Sequence, residues 1–142
     1  MKIEKFNERK IYRGVKPIAD FLYDKFFDRY KINGVQEKES PKFLRVQIKF
    51  LKGGREGTWN KYTPVDFAIF TKFYEYMEKY GTIEQFSLTG YGIEVSVIMT
   101  LDNVEKLKKT PEYQEWYERV VPETNQYLAD RALKKSAKKY NL

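Results

Sequence analysis

Between Thr63 and Met99 the apolar residues change from a three-to-four-residue spacing to a two-residue spacing, and no all-helical or all-strand fold accommodates both. Thr63 is placed to accept a hydrogen bond from the first turn of a helix. Pro64 follows at the first helical position, where its missing N–H costs nothing, and Asp66 completes a capping box. Val65, Ile69, Phe73, Met77 (or Tyr76) and Tyr80 then recur on one face, widened by Phe70, while Asp66, Lys72, Glu75 and Glu78 take the other. Gly81 is a suitable stop because it tolerates positive φ, so the spacing predicts a helix over 64–80.

After it come Phe86 and Leu88, then Ile93, Val95, Val97 and Met99 alternating with Glu94, Ser96 and Thr100; Ile98 breaks the strict pattern. Period two with β-branched residues predicts strands over roughly 84–99. Gly90-Tyr91-Gly92 between them fits a tight hairpin, or alternatively a bulge within one buried strand.

The remaining elements follow from the same rules. Pro17, Ala19, Leu22, Tyr23, Phe26 and Tyr30, with Ile18 and Phe27 at the margins, predict an amphipathic helix over 17–31. Asp20, Asp24 and Asp28 lie at four-residue spacing on its other side and read as a solvated face. Asn33-Gly34 predicts a turn and 36–41 a polar loop. Leu44, Val46, Ile48 and Phe50 alternate with Phe43, Arg45, Gln47 and Lys49, a two-faced strand over 43–51 whose Arg45 and Lys49 stay wet. A returning strand is expected at 57–62. Asp102 with Glu105 marks a short capped helix, and Thr110-Pro111 starts a long one over 111–137 carrying Tyr113, Trp116, Tyr117, Val120 and Val121, with a kink or short break at Pro122.

The fold class these elements define is α+β: one mainly antiparallel sheet of three to four strands with three main helices on one face or at its end. At 142 residues the chain fits a single domain, with a basic arm at 1–12 and a basic tail at 134–142. No apolar run reaches the roughly 18 residues of a membrane helix. The N-terminus lacks a signal peptide's apolar region, so a cytoplasmic protein is expected. Twelve tyrosines, abundant Lys and Glu and no cysteine suit a protein from a hot environment.

The chain contains no cysteine and no histidine. Disulfides, thiolate sites, imidazole bases and histidine metal ligands are therefore excluded. Lys52-Gly53-Gly54-Arg55 lacks the glycine frame and Gly-Lys-Ser/Thr ending of a phosphate-binding loop. Tyr113 and Tyr117 stand one helical turn apart, as a nickase nucleophile pair does, but the histidine metal motif that chemistry uses is missing; they read as an aromatic helix face. Asp66, Glu84 and Glu94, with Lys49 or Lys61, are the nearest raw materials for a carboxylate nuclease, at a spacing that matches no compact signature. No two-carboxylate pair for glycoside hydrolysis stands out. No cofactor or metal is expected.

Charge carries the functional expectation. Residues 1–71 hold 16 basic and 9 acidic side chains, residues 72–129 hold 6 and 10, and the last thirteen hold 5 and 1. A net charge of +7 favours anionic partners. Non-enzymatic association with DNA or RNA is thus expected, through Lys10 and Arg13 near the N-terminus, Lys52, Arg55 and Trp59 in a hairpin tip, and Arg131, Lys134, Lys135, Lys138 and Lys139 at the end. The alternative is an interaction module that self-associates, as a homodimer, through surplus aromatic surface.

Overall fold

The computed structural model describes residues 16–51, 62–89 and 92–139, with side chains at all of these except 124 and 134–139. In chain order the elements are α1 (Pro17–Leu22) running into a π-helical turn (Tyr23–Phe27), β1 (Lys31–Glu39), β2 (Phe43–Leu51), α2 (Pro64–Met77), β3 (Thr82–Leu88), β4 (Gly92–Thr100), α3 (Leu101–Lys108) and α4 (Pro111–Lys139). The four strands form one antiparallel sheet in the order β1-β2-β4-β3. This is the small α+β architecture the sequence pattern predicts.

The capping box of α2 forms as expected. Thr63 N–H donates to Asp66 Oδ2 at 2.6 Å and Asp66 N–H donates to Thr63 Oγ1 at 3.4 Å. Phe70, Phe73 and Met77 are buried on the face this helix turns to the sheet. The helix stops at Met77, and Gly81 N–H closes it by donating to Met77 O at 2.8 Å. Glycine at 81 is required by close approach and not by a left-handed backbone: a Cβ there would lie 2.4 Å from the Ile98 carbonyl oxygen.

β3 and β4 pair as a hairpin, with Leu88 opposite Ile93 and Phe86 opposite Val95, so the reading of one bulged strand falls. The bulge lies further back, between Ile83 and Gln85. Pro122 sits inside α4, which runs on to Lys139.

Two elements differ from the sequence expectation. The first helix is shorter: after Leu22 the backbone widens into the π turn, and Tyr30 N–H donates to Phe27 O at 3.0 Å as the chain reverses. The Tyr23 hydroxyl donates to the Tyr30 carbonyl, a buried tie across the same reversal. With the turn widened, adjacent phenylalanines both find aromatic neighbours. Phe26 sits edge-on to Phe73 at 5.5 Å, and Phe27 lies 4.8 Å from Phe50 and 4.9 Å from Phe73.

The second difference is β1, which occupies the stretch expected to be turn and polar loop. Asn33-Gly34 does not reverse the chain; it marks a bulge, the register slipping between Ile32 opposite Phe50 and Gly34 opposite Lys49. β1 is an edge strand, paired only with β2 and open to solvent along its outer edge and outer face, which is why most of its side chains are polar. The strand expected at 57–62 lies outside the described residues except for Tyr62, which is not in a strand; β2 is paired by β1 on one edge and by β4 on the other.

The core lies between the sheet and the helices. Leu44, Val46, Ile48 and Phe50 of β2 and Ile93, Val95, Val97 and Met99 of β4 point into it, meeting Leu22, Phe27, Phe73, Met77 and Leu107. α4 docks on α1 through Tyr113 and Trp116, edge-on to Phe21 at 5.1 and 5.6 Å. Trp116 Nε1 donates to Asp24 at 2.6 Å. The aspartate stripe is therefore not one solvated face: Asp20 is buried, Asp24 anchors Trp116, and only Asp28 is exposed. α3 is capped by Thr100, whose hydroxyl accepts from Asn103 N–H at 3.2 Å, in place of the expected Asp102.

Candidate nucleic-acid interface

All the described helices gather on one side of the sheet, and the strand alternation fixes what the other side displays. Because successive residues of a strand face opposite ways, burying Leu44, Val46, Ile48 and Phe50 turns Phe43, Arg45, Gln47 and Lys49 outward. The register then aligns rows across the strands. Gln36, Gln47, Ser96 and Gln85 form a central row of amides and a hydroxyl. On one side of it run Lys38, Arg45 and Ile98; on the other, Gly34, Lys49, Glu94 and Ser87. Lys31 lies opposite Leu51 at one end of the face, and Phe43 opposite Thr100 at the other.

The β1–β2 half of this face is basic and open. Lys31, Lys38, Arg45 and Lys49 are all exposed, and a Cβ added at Gly34 would meet nothing within 4 Å. Phe43 is 41% exposed, a large aromatic left on a polar surface. The β3–β4 half carries the balancing acids. Arg45 Nε and Nη2 donate to the two Glu84 oxygens at 2.8 and 3.2 Å, and Lys49 lies 3.7 Å from Glu94. The Arg45 hydrogen bonds hold the Glu84 carboxyl below the usual range against a small desolvation, with Ser96 Oγ adding a contact at 3.3 Å. Lys31 and Lys38 have no ion-pair partner among the described residues.

Of the expected binding residues, only Arg131 has a described side chain. Lys10, Arg13, Lys52, Arg55 and Trp59 lie outside the described residues, as does Lys61. Arg131 is exposed on α4, about 22 Å along the helix from Trp116. Lys134, Lys135, Lys138 and Lys139 continue that helix, their side chains outside the description. The points where the basic segments meet the described fold are also separated. Lys16 leads into α1 beside Glu37, which accepts from Ala19 N–H at 3.1 Å, whereas Leu51 pairs with Lys31. Lys31 and Glu37 stand about 20 Å apart along β1.

The carboxylates considered for a nuclease are not brought together. Asp66 is on the helical side, where Tyr30 donates its hydroxyl to it, while Glu84 and Glu94 are on the open face. No cluster of three acidic side chains able to hold a metal ion occurs among the described residues. A groove between α1 and α4 is crossed by the Lys25–Glu112 ion pair and the Trp116–Asp24 hydrogen bond, so its polar groups hold the helices together.

Most of the described tyrosines pack in or against the core. Tyr23, Tyr30 and Tyr113 are buried, and burial pushes the Tyr30, Tyr76 and Tyr113 hydroxyls well above the ordinary tyrosine range, helped at Tyr30 by the bond to Asp66. Phe67, Tyr74 and Tyr117 remain exposed at 50, 43 and 43%.

The sequence signal for the open face was the β2 alternation, which identified Arg45, Gln47 and Lys49 as its wet side. Lys31, Gln36 and Lys38 were missed because β1 was not visible. No described helix is long and apolar enough to cross a membrane. No family, no curated protein and no solved structure matches this chain.

Proposed function

We propose that this protein associates with single-stranded nucleic acid, without chemistry of its own, across the open face of β1 and β2. The observation that supports it is the outward column of β2: Phe43, Arg45, Gln47 and Lys49, flanked on β1 by Lys38, Gln36 and Lys31. An exposed aromatic offers a stacking platform for an unpaired base, cations contact phosphate, and amides hydrogen-bond base edges. A sheet four strands wide does not enter a duplex groove that admits a helix or a two-stranded ribbon, which favours a single strand. Of the ten acidic residues between 72 and 129, only Glu84 and Glu94 lie on the sheet; the others are on the helices or the turn after α2.

The test is fluorescence anisotropy with labelled single-stranded and duplex DNA and RNA over a salt series, comparing the wild type with Phe43→Ala and with a combined Lys38→Gln, Lys49→Gln variant. Loss of one stacking contact should weaken binding roughly 5- to 100-fold. Each phosphate contact removed should reduce the logarithmic salt slope by about 0.7. Absence of binding at low salt, or binding insensitive to these variants, overturns the reading.

A further inference from the structure

None of the described side chains from Val121 to Leu133 is buried, and Leu133 is 73% exposed. Pro122 has no N–H to donate, so the hydrogen-bond ladder is interrupted where the helix leaves the domain. Helices of this length in water draw most of their stability from packing an apolar face. Such a face exists. Tyr117, Val121, Leu128 and Ala132 fall within a sector of roughly 60° at 100° per residue, beside the face that docks Tyr113, Trp116 and Val120. Tyr117 is 43% exposed, and Val121 and Leu128 are half-buried.

The charge along the same helix is polarised. From Pro111 to Glu123 it carries Glu112, Glu115, Glu118 and Glu123 against Arg119 alone. From Arg131 to Lys139 it carries Arg131, Lys134, Lys135, Lys138 and Lys139 with no acid. We propose that α4 pairs antiparallel with α4 of a second copy of this chain. A two-fold axis near the middle of the helix lays the basic half of each copy on the acidic half of the other and covers the Tyr117–Leu128 stripe from both sides. Parallel pairing sets like charge on like and is disfavoured. The interface is isologous, so it closes as a dimer and does not propagate.

The pairing is independent of the nucleic-acid reading, and its test uses no nucleic acid. The mass of the full chain is followed by sedimentation equilibrium over a concentration series at low and high salt, with helicity checked by circular dichroism. The wild type should be a dimer that salt weakens, and Leu128→Glu should raise its Kd about tenfold or more. Two charge variants decide the geometry. One carries Glu115→Lys and Glu118→Lys; the other carries Lys134→Glu, Lys135→Glu, Lys138→Glu and Lys139→Glu. Each alone should be monomeric, because its two halves then bear the same sign, and an equimolar mixture should regain the dimer mass. A monomeric wild type, an undiminished Leu128→Glu dimer, or charge variants that dimerise alone as well as mixed overturn the proposal.

Discussion

The Tyr30 hydroxyl donates to the Asp66 carboxylate, tying the end of the first helical segment to the cap of α2 across the edge of the core. Asp66 is only 6% exposed, so this one carboxylate closes the Thr63 capping box and satisfies a buried phenol together. Removing it strands both donors. Asp66→Ala should cost about 2–4 kcal/mol, the sum of a lost cap and an unsatisfied buried hydroxyl, and Tyr30→Phe about 1–2 kcal/mol. In urea unfolding the double variant should lose less than the sum, with a coupling of about 1 kcal/mol or more. Simple additivity would contradict a shared network.

Acid titration probes the same group. Burial alone would raise the Asp66 carboxyl, but hydrogen bonds from Tyr30 and from the Thr63 N–H and hydroxyl outweigh it and hold it below its ordinary 3.8. The unfolded chain therefore takes the proton first as pH falls. The stabilisation is complete above about pH 4 and is lost on descent through the lower folded value. Glu37 has the opposite sign: burial pushes it above its ordinary 4.5, against the hydrogen bond from Ala19 N–H, so its contribution is present below that pH and is lost as pH rises through the folded value. Asp66→Asn should flatten the acid limb of stability against pH, and Glu37→Gln the limb above it.

Glycine substitutions separate close approach from open surface. A Cβ at Gly92 would lie 2.2 Å from the Phe50 carbonyl oxygen, and one at Gly81 would lie 2.4 Å from that of Ile98. Backbone cannot yield as a side-chain tip does, so Gly92→Ala and Gly81→Ala should each cost about 1–3 kcal/mol or more in thermal unfolding. Gly34→Ala, with open space around it, should change stability by less than about 1 kcal/mol and, if anything, stabilise.

Glu84 and Glu94 restrain the cations beside them on the open face. Neutralising them frees Arg45 and Lys49 for phosphate, so a Glu84→Gln, Glu94→Gln variant should bind single strands about five- to tenfold more tightly and show a steeper salt dependence. Equal or weaker binding would separate these cations from the nucleic-acid site.

What was legible in the chain were elements with one strong period and an explicit start: the Thr63–Pro64–Asp66 cap of α2, the alternation of β2 and β4, and the Thr110–Pro111 start of α4. β1 was hidden because an edge strand alternates weakly: it has only two apolar side chains, Ile32 and Val35, both packed on the core, and the bulge at Asn33 shifts them out of step. The π turn was hidden because Phe26 and Phe27 fit a helical face on paper, and the pairing with Phe73 and Phe50 that widens the backbone is tertiary. The candidate face suffered for the same reason. Half of it belongs to β1, and its rows exist only once Gln36 is set against Gln47 and Gln47 against Ser96. Local charge density drew attention to the lysine-rich segments, while Lys31, Lys38 and Arg45 are scattered in sequence and gathered only by strand pairing.

The most direct measurement is amide chemical-shift mapping of the full chain titrated with a single-stranded oligonucleotide. The predicted result is a set of shifts concentrated on Lys31, Gln36, Lys38, Phe43, Arg45, Gln47 and Lys49, with the core-facing side of α2 and the Tyr113–Val120 stretch of α4 unmoved. Shifts confined to α4, or none at saturating oligonucleotide, would contradict the assignment of nucleic-acid binding to the open sheet face.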